Sequence, residues 1–237
     1  MKAGIFAAGM GSRFQEAGWR QPKPLIALHG KPLIAYVLEN LFQAGIEKVD
    51  LLLNKEPLFD PVETYVRALP EASRVRIWRK TTRTSYESFC FLIDRIGSPP
   101  FLLSTVDTIF PVDALKDFLV IRSYPSSCML ALAVTGWVHD EKPLWVEISE
   151  EGKILNIGES VKAKDSVTAG LYLVLRELTE TATEMPFAAL RNFLVDVVEK
   201  GGEVWAKRFP MALDIDCPAD IRMAESLLQE SRAGARV

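Results

Sequence analysis

Histidine and cysteine are scarce in this chain, with two of the first and three of the second among 237 residues. Cys90, Cys128 and Cys217 have neither the count of a disulfide framework nor the spacing of a metal site, so all three read as reduced and partly buried. His29 and His139 read as surface or loop groups, and the chain lacks a nucleophile–histidine–carboxylate triad. A basic excess is missing too: 28 Lys and Arg stand against 31 Asp and Glu, a net charge of −3. No global field therefore points to nucleic acid as a partner, and the local basic residues suit a small anion. No apolar run approaches the roughly 18–20 residues of a membrane span, which argues against a membrane partner. The N-terminus reads straight into a strand without a charged leader or cleavage site, so the expected compartment is the cytoplasm.

What is present is the composition of an ordinary globular protein, 49% hydrophobic and 25% charged. The length suits one α/β domain over residues 1–237, read as two halves, 1–135 and 136–237. Continuous apolar runs at Ala3–Ala8, Val49–Leu53 and Phe101–Thr105 mark strands covered on both faces. Further strands are predicted at Arg74–Trp78 and Cys128–Thr135. Between them lie helical stripes over Pro32–Ala44, Pro57–Leu69, Thr81–Ile96 and Asp113–Arg122. Strand and helix alternate without a linker or repeat, which predicts a three-layer, doubly wound, mostly parallel sheet. Beyond Leu144 the texture changes. Trp145–Ile148 and Ile154–Ile157 flank Glu150-Glu151-Gly152-Lys153 as a small hairpin. A strand over Val167–Val174 and a helix over Phe187–Glu199 come next. Short strands at Val204–Lys207 and Ala212–Asp216, a helix over Pro218–Gln229 and a frayed end from Ala233 complete the chain.

The stretch Lys2–Leu25 carries the chemistry. Its apolar strand turns through Gly9-Met10-Gly11, presents Ser12 and Arg13, and reaches Pro22-Lys23-Pro24-Leu25 about ten residues later. Glycines let backbone N–H groups approach phosphate oxygens. Arg13 can fork onto two oxygens, and Lys23 is a compact point charge. A dinucleotide fingerprint would need a third glycine where Phe14 stands, and no Gly-Lys-Ser/Thr loop occurs.

Ala7-Ala8-Gly9-Met10-Gly11-Ser12-Arg13-Phe14, then Pro22-Lys23-Pro24-Leu25, then Gly30-Lys31-Pro32-Leu33 together resemble the signature of the sugar-phosphate and phosphocholine nucleotidyltransferases. The resemblance continues through Glu151–Glu159, Thr168-Ala169-Gly170-Leu171-Tyr172 and Asp214–Asp220, with Cys217 where a threonine is usual. It implies a GT-A-like, Rossmann-like fold. It also implies attack by an acceptor phosphate on the α-phosphorus of a nucleoside triphosphate (CTP, UTP or dTTP), with pyrophosphate leaving.

Such a reaction uses an anionic nucleophile, so catalysis is positioning and charge neutralisation. Mg²⁺ is the expected cofactor, since it takes one or two carboxylates plus phosphates. Asp107, just past an apolar strand, is the first candidate ligand. Asp214 and Asp216, at i and i+2 of an expected strand, are the others, and the sequence does not choose between them. The resemblance assigns Arg13 to the β- and γ-phosphates and Lys23 to the α-phosphate or incoming phosphate. Ala7, Ala8, Gly9, Met10, Gly11 and Ser12 would line the nucleotide, with Thr82, Ser85 and Ser88 as further candidates for the base. On the acceptor side stand Glu159, Gly170 and Lys162 or Lys164; Ser160 occupies a position where sugar-type members carry lysine. Trp137, Trp145 and Tyr172 could wall a choline-like cation. A sugar 1-phosphate leads as acceptor, with a phosphocholine-like alcohol phosphate second.

Two other readings compete. A GT-A glycosyltransferase would carry Asp-x-Asp, but Thr105 stands two residues before Asp107. A non-catalytic nucleotide-binding module would leave Arg13, Lys23, Asp107 and Asp216 without a shared purpose. Whether the protein is a homo-oligomer is left open by the sequence.

Overall fold

A computed structural model describes residues 1–138, 142–178 and 187–234, with side chains as far as Gln229. His139 and the last three residues of the expected frayed end lie outside the described residues. In chain order, β1 (Lys2–Ala7) leads through α1 (Ser12–Glu16) to the short pair β2 (Ala27–Leu28) and β3 (Lys31–Pro32), then α2 (Leu33–Gln43). Next come β4 (Lys48–Leu53), α3 (Asp60–Arg67), β5 (Val75–Arg79), α4 (Ser85–Ile96), β6 (Phe101–Thr105), β7 (Thr108–Ile109) and α5 (Val112–Phe118). The second half contributes β8 (Leu130–Thr135), the hairpin β9 (Val146–Ile148) and β10 (Ile154–Ile157), then β11 (Val167–Val174). It closes with α6 (Leu190–Glu199), β12 (Val204–Arg208), β13 (Leu213–Asp214) and α7 (Pro218–Gly234).

Seven strands form the main sheet in the order β12-β8-β11-β6-β1-β4-β5. β11 runs antiparallel to both its neighbours, and the other pairings are parallel. Alternate residues of each strand serve opposite layers, as a pleated sheet covered on both faces requires. Ala3, Ile5, Val49, Leu51, Ala131 and Leu171 pack under α2, α3 and α5. Leu52, Leu103, Leu132 and Tyr172 pack under α4 and α6. From β1 the strands step outward to β4 and β5, and the chain then returns to β6 on its other side. The turn after β1 therefore lies at the reversal point of strand order, where open α/β sheets bind ligands.

Several expected boundaries shift. The helix predicted over Asp113–Arg122 stops at Phe118, and Ile121–Ser123 is a separate 3-10 turn. Pro57–Leu69 divides into a 3-10 turn at Pro57–Phe59 and α3. The strand predicted over Ala212–Asp216 is only Leu213–Asp214, paired antiparallel with Thr108–Ile109, a strand the sequence did not reveal. No helix among the described residues is long and apolar enough to cross a membrane.

Two groups brace the carboxyl edge of the sheet. Asn54, buried just past β4, donates from Nδ2 to the Ala8 carbonyl at 3.0 Å and accepts from Thr81 Oγ1 at 3.0 Å. Gly170 has φ +61°, and a Cβ there would stand 2.5 Å from Thr105 Oγ1 and closer still to Thr108 Oγ1. Gly170→Ala is therefore expected to cost about 2 kcal/mol and to lower Tm by about 4–8 °C. An unchanged melting curve would refute that reading. Asn54→Ala strips the buried Ala8 carbonyl of its donor, for an expected loss of about 1–3 kcal/mol in urea titration.

Candidate active site

The turn after β1 faces outward because α1 and the segment beyond it are anchored inward. Gly11 begins α1 with φ 66° and ψ 49°, a left-handed conformation that favours glycine. Phe14 is buried with Ile26, Leu28, Leu33 and Ile215, its ring edge-on to Trp19 at 5.5 Å. A Cβ on Gly11 would lie 3.3 Å from Lys23 Cβ, so the turn and the lysine segment are in close approach. Gly9 instead borders open space, with no protein atom within 4 Å of a Cβ added there. Ala7 and Ala8 are buried beneath the turn, while Met10 and Ser12 are exposed.

Lys23 lies in a 3-10 turn between two buried prolines, Pro22 and Pro24. Its ammonium reaches two carboxylates at once, hydrogen-bonding Asp107 Oδ2 and, at 2.6 Å, Asp216 Oδ1. Arg13 Nη1 approaches the other oxygen of Asp216 at 3.0 Å. Burial works against charge on Lys23, but Asp107 and then Asp216 outweigh it and hold the ammonium well above its ordinary pKa. Burial likewise disfavours the Asp107 carboxylate, and the charge and hydrogen bond of Lys23 keep its pKa below the usual value.

Asp214 differs from its neighbours. Thr108 Oγ1 donates to it across the β7–β13 pair, and Thr108 in turn shares a 2.6 Å hydrogen bond with Thr105. Burial first, then the charge of Asp107, pushes its pKa up to about 7. Of the two aspartates left open by the sequence, Asp216 shares Lys23 with Asp107. Asp216 lies beyond β13, so the chain turn, rather than strand alternation, brings it there. That segment is fixed by Asp220, whose Oδ2 accepts from the backbone N–H of Asp216 at 2.8 Å and of Cys217 at 2.7 Å.

A cavity of about 540 Å³ opens from this cluster across the carboxyl edge of the sheet. Arg13, Gly170, Asp214 and Asp216 line it together with Trp137, Leu144, Tyr172 and Arg191. Tyr172 is 8% exposed and packs edge-on to Phe6 with centroids 6.2 Å apart. Arg191 donates to the Lys142 carbonyl at 2.9 Å and pairs with no carboxylate among the described residues.

The remaining expected site residues divide. Thr82 and Ser88 are hydrogen-bonded to each other at 2.7 Å beside the start of α4. Ser85 lines the cavity, but its Oγ accepts the Leu190 N–H at 2.9 Å. Glu159 and Lys162 are exposed in the turn after β10 and are not among the cavity-lining residues. Gly158, with φ 106°, reverses the chain there while its N–H is held by the Trp145 carbonyl, which keeps the turn outside. Arg191 and Asn54 were missed. Asn54 had a signal, a polar residue directly after a continuous apolar strand, just as Asp107 stands near the end of another.

The donor set fits a hard divalent cation. Asp107 Oδ2 and Asp216 Oδ1 converge on a single point, marked by the Lys23 ammonium, and both are carboxylate oxygens. Among the described residues no group of three or more His, Cys, Asp and Glu has metal-holding geometry. Mg²⁺ commonly takes one or two carboxylates and completes its shell with phosphates and water.

Known proteins resemble this chain in sequence and fold. The 2-aminoethylphosphonate cytidylyltransferase of Lancefieldella rimae is 26% identical over 159 residues, covering 65% of this chain and 59% of that protein. This chain thus spans less than two thirds of the length of the first curated relatives it matches. The fold is like that of the T. maritima inositol-1-phosphate CTP transferase, with TM-score 0.73, 24% identity and coverage of 92% and 90% of the two chains. It is also like apo-UDP-glucose pyrophosphorylase, with TM-score 0.80, 19% identity and 98% of each chain covered. The model of the MobA-like NTP transferase domain matches residues 3–155, well over half the chain, and this protein belongs to that family of nucleotidyltransferases.

Proposed function

We propose that this chain is a Mg²⁺-dependent nucleotidyltransferase that moves a nucleoside monophosphate from CTP, UTP or dTTP to a phosphate or phosphonate oxygen of a small acceptor. The observation that carries the reading is the convergence of Arg13, Lys23, Asp107 and Asp216 beside the glycine turn after β1. The acceptor oxygen attacks the α-phosphorus, a new P–O bond forms, the α–β bridging bond breaks, and pyrophosphate leaves. Asp107 and Asp216 would hold the metal, which when bound would neutralise charge on the phosphates. Arg13 binds the outer phosphates, and Lys23 stabilises the charge that builds around the α-phosphorus. Asn54 fixes the Ala8 carbonyl and so the shape of the turn against which the nucleotide lies.

Of the two acceptor classes expected from sequence, we take a compact alcohol phosphate or phosphonate ahead of a sugar 1-phosphate. Trp137, Pro143, Leu144, Val167, Leu190 and Leu194 give the cavity lining an apolar stretch suited to a short alkyl chain, beside the hydroxyls of Thr135 and Thr168. Glu159, the candidate for a sugar's hydroxyls, is exposed and off the wall. Arg191 supplies a guanidinium for the acceptor's anionic head, and the Trp137 ring suits an alkylammonium tail.

Pyrophosphate release over four nucleotides and a panel of glucose 1-phosphate, inositol 1-phosphate, phosphocholine and 2-aminoethylphosphonate tests this reading. Release is expected to require both an acceptor and magnesium and to stop with EDTA; release without an acceptor would overturn it. Lys23→Ala and Asp107→Ala are each expected to lower turnover at least about a hundredfold, the typical cost of a group that stabilises transition-state charge. Arg191→Ala is expected to raise the acceptor KM about tenfold or more, the range of a lost charge-assisted hydrogen bond. Near-wild-type constants would remove the residue concerned from its assigned role.

A further inference from the structure

The helix that carries Arg191 does not cap itself. Its N-cap is Ala189, at φ −155° and ψ 162°, which has the backbone conformation of a cap but no side-chain acceptor. The first N–H groups of any helix have no partner inside it. Here the Leu190 N–H is taken by Ser85 Oγ at 2.9 Å, from a residue 105 positions earlier in the chain. Ser85 is the first residue of α4, whose own cap is Thr84 Oγ1, accepting the Glu87 N–H at 3.1 Å. The hydroxyl of Ser85 is therefore left to serve the other helix.

An aromatic seam reinforces the junction. Tyr86 meets Phe187 edge-on at 5.0 Å and Phe193 at 5.3 Å, and Phe89 meets Phe193 at 5.3 Å. These contacts are apolar and press α6 against α4. The Ser85–Leu190 hydrogen bond is directional, and it fixes the turn of α6 in which Leu190, Arg191 and Leu194 face the cavity. Arg191 is the next residue after the bonded N–H.

We propose that Ser85 is a positioning residue for the acceptor: it caps α6 from outside, and so sets where the Arg191 guanidinium meets the acceptor's phosphate or phosphonate. This rests on the acceptor role proposed for Arg191. It replaces the expectation that Ser85 reads the nucleotide base. Through it, a helix that begins beside the nucleotide end holds the first turn of the helix that lines the acceptor end.

The test compares Ser85→Ala, Ser85→Thr and the double variant Ser85→Ala/Ala189→Ser, using the nucleotide and acceptor from the panel that wild-type turns over fastest. Ser85→Ala is expected to raise the acceptor KM roughly fivefold, the usual worth of an N-cap, while the nucleotide KM stays within about twofold. Ser85→Thr keeps the hydroxyl and the wild-type acceptor KM. Ala189→Ser gives α6 a cap of its own but no tie to α4, so in the double variant the acceptor KM stays raised. A rise in nucleotide KM or a changed base preference in Ser85→Ala would assign Ser85 to the base and overturn the proposal. An unchanged acceptor KM in Ser85→Ala, or a double variant that recovers fully, would overturn it as well. Amide hydrogen exchange over the peptide containing Leu190 gives an answer independent of turnover. Exchange is expected to quicken several-fold in Ser85→Ala, and an unchanged rate would sink the cap. Quickened exchange with no turnover in wild-type on any acceptor would fault the proposed function and leave the cap standing.

Discussion

The site depends on one ammonium group held between two carboxylates. Lys23 lies 84 positions before Asp107 and 193 before Asp216, and the fold brings the three charges together in one partly buried place. Removing one partner of such a group leaves an uncompensated charge, which typically costs about 3–5 kcal/mol when buried. The side chains keep 11%, 21% and 29% of their exposure, so solvent screens part of that cost, and the cluster remains responsive to an incoming charged ligand.

The rest of the architecture delivers these groups to one edge. Parallel strands β1, β4, β5 and β6 end together, so Ala8, Asn54, Thr81 and Asp107 lie just past strands that stop at a common level. β11 enters the sheet in the opposite sense, and its first residues, Val167 to Gly170, meet that edge from the acceptor side. The glycine at 170 lets β11 pass close to Thr105 and Thr108, and Thr108 then orients Asp214. A single continuous sheet thus floors both ends of the cavity, while α4 and α6 meet along an aromatic seam behind it.

The first half of the molecule was legible in the sequence because local chemistry determined it. Buried parallel strands read as unbroken apolar runs, as at Val49–Leu53. The glycine turn with Arg13 and Lys23 at a fixed spacing is a contiguous motif. Asp107 was legible for a related reason, being polar at the end of an apolar strand. Elements governed by distant contacts were not. β7 and β13 are two residues each and exist only because they pair with one another. Asp216 reaches Lys23 through a turn fastened by Asp220, so the i and i+2 argument found the residue by a geometry it does not have. Ser85 was legible as a hydroxyl near a helix start, but the helix it serves begins 105 residues later. Glu159 and Lys162 were read from resemblance alone, and both are exposed in the turn after β10 and are not among the cavity-lining residues.

Isothermal titration of the wild-type chain with CTP and UTP, with and without Mg²⁺, addresses the central claim most directly. If Lys23 and Arg13 receive the triphosphate while Asp107 and Asp216 receive the cation, at least one nucleotide binds at sub-millimolar concentration with magnesium and much more weakly without it. Absence of binding at millimolar nucleotide, or binding indifferent to magnesium, would contradict the account.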